Sequence, residues 1–260
     1  RLGAQYNAFT SKEYTGYYAK ASTENFDLIL DVVSDIFLNS KFDLEEIEKE
    51  RGVIIQEINM NFDNPMRHIG DMYEDLLYGD QPLGWNIAGT KEGILAMRPE
   101  KIREYFNTHY FAKNTVVAVA GNIDPEKVKE QVDQHFAHIR QQSLLKPLPV
   151  QIKQEKAGLK ILNKKTDQVH IHLGVRGYDM FNPKKEALRL MAVILGGGMS
   201  SRLFVEVREK RGLAYYVRAG ADSYLDAGDF TAWAGLEKTK LHSALEVILE
   251  EFRKLKKEKV

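Results

Sequence analysis

The chain has 260 residues, 43% of them hydrophobic and 28% charged, which is the mixture of a soluble globular protein with room for one large domain or two ordinary ones. Lysine plus arginine and aspartate plus glutamate both number 37, so the net charge is zero and no basic surplus recommends nucleic acid or an anionic membrane as a partner. The absence of cysteine excludes disulfides, a thiolate nucleophile and any cysteine-ligated metal centre, so a metal would have to be held by His, Asp or Glu. No apolar run approaches the roughly 18 residues that span a bilayer, and a cytoplasmic location is the expectation. The chain opens at Arg1 rather than at a methionine, so a secretory leader is not legible in it.

Gln5 to Ser11 and Tyr14 to Ala21, rich in Tyr, Phe and Thr and joined by a short polar turn, predict a pair of strands. Helical periodicity then takes over at Phe26 to Asn39 and at Asp43 to Phe62, the second opening with Asp43 three residues before Glu46 in the manner of a capping box. Further helices are predicted at Pro65 to Tyr78, Pro99 to Tyr110 and Pro125 to Ile139, the last with Asp124 as N-cap and Pro125 at the first helical position. The β-branched run Asn114 to Ala120, closed by Gly121-Asn122, predicts a buried strand.

From residue 144 to 158 the pattern dissolves into a Leu, Pro and polar stretch, the best candidate for a linker between a first domain at 1–143 and a second at 159–260. Beyond it the same grammar restarts. Leu159 to Asn163, Gln168 to Val175, Tyr215 to Gly220 and Asp229 to Leu236 predict strands. Asn182-Pro183 opens a helix to about Leu195, Ser201 to Arg211 is a helix closed by Gly212, and a last helix runs from Thr239 to Val260. Without strict βαβ alternation, the fold class expected is α+β, in two similar domains, each a mostly antiparallel sheet with helices packed on one face.

Two carboxylates stand out. Glu50 and Glu57 are seven residues apart, which at about 100° per residue brings them within roughly 20° of each other on one helical face. Ile47, Ile54 and Ile58 flank that line on one side, Val53 and Met60 on the other, so the pair is expected inside the hydrophobic stripe. A buried carboxylate requires a cation or a donor network. Spacing alone leaves two partners open, a metal ion or the commoner arrangement of an arginine or backbone amides.

Three ordered blocks carry a resemblance: Gly3 to Thr15 (Gly-Ala-Gln-Tyr-Asn-Ala-Phe-Thr-Ser-Lys-Glu-Tyr-Thr), Glu50 to Ile58 (Glu-Arg-Gly-Val-Ile-Ile-Gln-Glu-Ile), and Leu195 to Phe204 (Leu-Gly-Gly-Gly-Met-Ser-Ser-Arg-Leu-Phe) leading into Arg208 to Tyr215 (Arg-Glu-Lys-Arg-Gly-Leu-Ala-Tyr). In that order they resemble the insulinase/pitrilysin family of inverted-motif zinc metallopeptidases, and most of all its two-domain, processing-peptidase-like bacterial members. In that family two histidines of an H-x-x-E-H helix and a downstream glutamate bind zinc, and the motif's own glutamate is the general base. The resemblance implies Glu57 as the third zinc ligand and Glu50 as its supporting carboxylate. It implies Arg208 and Tyr215 as the pair that meets the substrate carbonyl, and Asn7, Ala8 and Phe9 as an edge strand that captures an extended peptide. It also implies a homodimer enclosing a chamber, in which Arg208 and Tyr215 of one subunit serve the zinc of the other.

The sequence departs from the family in having no H-x-x-E-H. None of its seven histidines, His68, His109, His135, His138, His170, His172 and His242, has the spacing. The expectation is that the segment carrying the motif precedes Arg1 and that the second domain lacks its C-terminal part; the alternative is a member that has lost its metal site. His170 and His172 alternate on one face of a strand, where a polar sheet surface is the simpler account than a metal, and His135 and His138, three apart on a helix, are expected to be solvated. Gly196-Gly197-Gly198 lacks the Lys-Ser/Thr of a phosphate loop and is expected to be a turn. The activity expected is zinc-dependent cleavage of unfolded or presequence-like peptides. A non-catalytic partner subunit of the same fold and a metal-free peptide-binding module are the rivals.

Overall fold

A computed structural model of the chain describes residues 3–144 and 146–258. The tips of the expected first domain and last helix (residues 1–2 and 259–260), and residue 145 of the expected linker, lie outside these. The elements are β1 (Gln5–Thr10), β2 (Thr15–Lys20), α1 (Phe26–Leu38), α2 (Leu44–Asp63), α3 (Pro65–Tyr78), α4 (Lys91–Ala96), α5 (Pro99–His109), α6 (Pro125–His135), β3 (Gln168–Arg176), α7 (Lys185–Gly196), β4 (Ala214–Ser223), β5 (Gly228–Glu237) and α8 (Leu241–Lys257), with a π-helical segment, Phe204–Glu209, between α7 and β4. No helix among the described residues is long and apolar enough to cross a membrane. The chain divides into two compact units, Arg1–Ile58 with Ile87–Pro147, and Asn59–Asn86 with Leu148–Val260.

In the first unit β1 and β2 form an antiparallel hairpin in which Asn7 faces Tyr18, Ala8 faces Tyr17 and Phe9 faces Gly16. The turn closes with Ser11 N donating to Tyr14 O at 2.8 Å. Helices α1, α5 and α6 pack through aromatic rings. Phe37 lies 5.1 Å from Tyr110 and 6.0 Å from Phe136, Phe106 lies 5.1 Å from Phe42, and the Tyr17 and Tyr110 hydroxyls share a 3.0 Å hydrogen bond. Helix α6 starts as its sequence demands, with Asp124 Oδ1 accepting from Glu126 N at 3.1 Å and proline at the first helical position.

Two predicted strands do not form. Asn114 to Ala120 runs through a short 3₁₀ turn into irregular backbone, with Val116 92% exposed, and Leu159 to Asn163 is likewise irregular, with Leu159 83% exposed. Both runs have strand composition, but a strand also needs a neighbour for its hydrogen bonds. Among the described residues, β1 and β2 pair only with each other, and β3 pairs only with β5. The short helix α4, capped by Thr90 Oγ1 accepting from Gly93 N at 3.0 Å, is an element the periodicity did not announce.

The second unit holds a three-stranded antiparallel sheet in the order β3-β5-β4. On one face Phe230, Ala232, Ala234 and Leu236 of β5 join Leu195, Leu203, Val207, Ala244 and Ile248 in a core from which water is excluded. The alanines leave room for helices α7 and α8 to approach closely. Gly196 at the end of α7 comes so near β4 that a Cβ there would sit 2.2 Å from Ala219 N, a contact that only glycine permits. These two helices lie on one face, as expected for the fold class. Helix α3 covers the other, where Tyr73 stacks on His172 and Arg176 donates to Leu77 O at 2.6 Å.

Candidate active site

Helix α2 carries the two glutamates. Asp43 starts it by accepting from Glu45 N at 2.9 Å, while Glu46, the expected reciprocal half of a capping box, pairs instead with Lys49 at 2.8 Å. Arg51 fastens the helix to α4: it donates to Ile94 O, to Met97 O at 2.9 Å and to Glu48 at 2.9 and 3.0 Å. No residue of α2 is buried, and Val53 and Met60, which flank the carboxylate line, are 49% and 54% exposed. Glu50 and Glu57 are therefore exposed rather than sunk in an apolar stripe. Among the described residues nothing covers them, so their placement within this chain does not by itself demand a cation.

Zinc needs three protein donors and an open position when it works as a catalyst. Among the described residues no group of three or more His, Asp or Glu side chains could hold a metal ion. Glu57 can supply one carboxylate, and the described residues do not complete the donor set.

Strand β1 is exposed along its whole length. Asn7 Oδ1 accepts from Ala8 N at 2.8 Å, and Phe9 packs edge-on against Tyr14 at 5.8 Å while its ring covers Gly16. Because β1 pairs on one side only among the described residues, its outer edge offers unpaired backbone groups.

In the second unit, Arg208 sits in the π-helical segment, where the five-residue bond from Lys210 N to Val205 O measures 2.9 Å. The expected helix from Ser201 to Arg211 is thus wound wide over Phe204–Glu209, a distortion that rotates side chains relative to an α-helix. Arg208 is exposed and its guanidinium lies 5.0 Å over the Phe204 ring. Tyr215 is 58% exposed and is the residue skipped in the β4–β5 register: Ala214 faces Leu236, Tyr216 faces Gly235, and Tyr215 has no opposite number. That is a β-bulge, a device that re-aims a side chain. Gly196 is the last residue of α7, and the glycine run leads into a turn in which Ser201 N donates to Gly198 O at 3.1 Å.

His135, His170 and His172 pack against other side chains. His135 is half-buried and bonded to Ser34 Oγ at 3.2 Å, whereas His138 is exposed. His170 shares a 2.8 Å hydrogen bond between its Nδ1 and the Tyr216 hydroxyl. His172 lies between Tyr73 and Trp233, and burial pushes its pKa down to about 4. The simple polar sheet face expected for this pair is thus replaced by an aromatic seam under α3. Asp229 in the same seam is 3% exposed, accepts from the Tyr78 hydroxyl at 3.4 Å, and is pushed up to about 7 by burial and by the nearby Asp222 and Glu74 carboxylates. Nothing in the spacing of the sequence singled out Tyr73, Tyr216 or Asp229.

Residues 1–91 match the family model described as insulinase (peptidase family M16), and residues 96–260 match the one described as peptidase M16 inactive domain. The chain belongs to peptidase family M16. Within the family it is 38% identical over 259 residues to an uncharacterized zinc protease of Bacillus subtilis (strain 168), covering 99% of this chain and 62% of that protein. It is 36% identical to an uncharacterized zinc protease of Streptomyces coelicolor, covering 96% of this chain and 56% of that one. The chain thus spans little more than half the length of these curated relatives. The M16 fold is shared with a protease from Helicobacter pylori, at a TM-score of 0.94 and 24% identity over 100% of this chain and 64% of that one.

Proposed function

We propose that the protein to which this M16 chain belongs is a zinc-dependent endopeptidase that cleaves unfolded or presequence-like peptides inside a chamber formed by two copies. One observation carries the reading: the segment that matches the insulinase model holds Glu50 and Glu57 on one line of α2, exposed and seven residues apart. The relatives' description as zinc proteases supports the same chemistry.

In this reading Glu57 would be one zinc ligand and Glu50 would orient it, with the other donors supplied by the full-length protein. Bound zinc would lower the pKa of a coordinated water and polarise the scissile carbonyl. The chain's own groups do the rest. The open edge of β1 at Asn7, Ala8 and Phe9 aligns an extended peptide by main-chain pairing, which reads conformation more than sequence. The Arg208 guanidinium and the Tyr215 hydroxyl donate hydrogen bonds to the substrate carbonyl oxygen and to the negative charge that grows on it. Arg208 and Tyr215 of one subunit serve the site of the partner.

A second reading, a non-catalytic partner subunit, is favoured by the match of residues 96–260 to the inactive-domain model. Zinc analysis of the full-length protein and its Glu57→Gln variant, with turnover of a quenched fluorogenic peptide in the same samples, separates the two. The peptidase reading expects about one zinc per chain, with metal and activity lost together in the variant. A zinc-free, inactive wild type would falsify it and leave the partner subunit.

A further inference from the structure

Two adjacent tyrosines, Tyr215 and Tyr216, compete for one place opposite Gly235, and the bulge decides the competition in favour of Tyr216. The decision is made at a single rung of the sheet. His170 of β3, Gly235 of β5 and Tyr216 of β4 lie side by side on it. The Tyr216 ring crosses over Gly235, so closely that a Cβ there would meet the ring at 2.3 Å, and its hydroxyl reaches His170 Nδ1 at 2.8 Å. Glycine is therefore required at the centre of the rung, since any side chain would close the passage between the two outer strands.

We propose that the His170–Tyr216 hydrogen bond, passing over Gly235, is a clamp that fixes the bulge and thereby aims Tyr215 at the substrate; this rests on the peptidase reading above. His170 and Tyr216 are positioning residues, not catalytic ones. A slip of one residue would bring Tyr215 onto the Gly235 rung and turn its hydroxyl towards His170, away from solvent. With the clamp closed, Tyr216 is half-buried and Tyr215 stands out at 58% exposure. An isolated bulge has no such preference between two identical neighbours; the His170–Tyr216 bond distinguishes them and spans the three strands.

The test uses the full-length protein with Tyr216→Phe, which keeps the ring and removes only the hydroxyl, and with His170→Ala and His170→Asn. In the Tyr215 position 3-fluorotyrosine reports its own surroundings by ¹⁹F NMR, whatever the enzyme's activity. The clamp predicts that Tyr216→Phe and His170→Ala shift or broaden that resonance, and that His170→Asn, which places a polar atom near the position of Nδ1, restores it. It also predicts a fall in kcat of roughly tenfold to a hundredfold with little change in KM. Because the effect passes through Tyr215, Tyr216→Phe should change kcat by less than about twofold in a Tyr215→Phe background. A ¹⁹F resonance identical in all variants, or additive losses in the double variant, overturns the clamp. If the wild type cleaves no peptide, the proposed function falls by itself and the ¹⁹F comparison alone upholds or overturns the clamp.

Discussion

Tyr73 of α3 and His172 of β3 stack ring on ring, with centroids 4.2 Å apart and planes within 4° of parallel. The stack is how α3 docks on the face of the sheet opposite α7 and α8. It also leaves the Tyr73 hydroxyl and His172 Nε2 buried with no hydrogen-bond partner among the described residues. Such groups cost stability unless their surroundings relax, and the histidine makes that cost depend on pH.

Burial holds the folded-state pKa of His172 at about 4, below its ordinary value. At pH values between the two, the unfolded chain binds a proton that the folded one does not, so the contribution of His172 to stability rises with pH across this window and is lost as pH falls through it. The full contribution is about 3 kcal/mol at most. His172→Phe keeps the stack and removes the titration. Urea unfolding at pH 4.5 and 7 should show the variant clearly more stable than wild type at the lower pH and close to it at the higher. Equal differences at both pH values would mean that His172 does not titrate in this window.

Asp229 works in the opposite sense. Its folded-state pKa, raised to about 7 chiefly by burial and then by Asp222 and Glu74, means that the folded carboxyl keeps its proton where the unfolded one has lost it. The contribution of Asp229 to stability is therefore greatest below the unfolded value and falls as pH rises towards 7. Arg176 stands opposite Asp229 on the neighbouring strand but donates to Leu77 O and lies over the Tyr78 ring, 5.6 Å from its centre, so the charge is only partly compensated. Asp229→Asn should stabilise the protein at pH 8 by on the order of 1–3 kcal/mol and have little effect near pH 4. The two groups oppose each other between about pH 4 and 6.5. The wild-type curve is accordingly expected to be flat there, with the slopes appearing only in the single variants. A variant destabilised at pH 8 would assign the ionised carboxylate a partner that the seam does not provide.

What the sequence made legible was whatever is decided locally. Pro65 announced α3, and Asp124-Pro125 announced α6, because a first-turn proline and a cap act within one turn. The hairpin of β1 and β2 was legible for the same reason. Asn114 to Ala120 and Leu159 to Asn163 misled because β-branched composition satisfies a strand's local preference while the pairing that makes it a strand is non-local. The burial expected for Glu50 and Glu57 failed in a similar way: periodicity identified a common helical line correctly, but whether anything covers that line is a property of the packing. The residue types at Arg208 and Tyr215 could be read from their blocks. The bulge that frees Tyr215 could not, since a Tyr-Tyr pair does not say which member faces Gly235. His170 was read as part of a polar strand face, and only the sheet register gave it a partner.

Arg208 and Tyr215 give the clearest way to separate function from folding. Both are exposed, and substitutions of exposed side chains away from caps and cores change stability by about 0.5 kcal/mol or less. Arg208→Lys keeps the charge but loses the planar fork that binds a carbonyl and stacks on Phe204. Tyr215→Phe loses only the hydroxyl donor. If these groups stabilise charge on the substrate oxygen, each variant of the full-length protein should lose roughly 10²-fold in kcat, with KM less affected and the melting temperature within about 2 °C of wild type. Zinc content should stay unchanged in both, unlike Glu57→Gln. Full turnover in both variants would remove this pair from the reaction, and a large drop in melting temperature would mean that the Arg208–Phe204 stack holds the π-helical segment together instead.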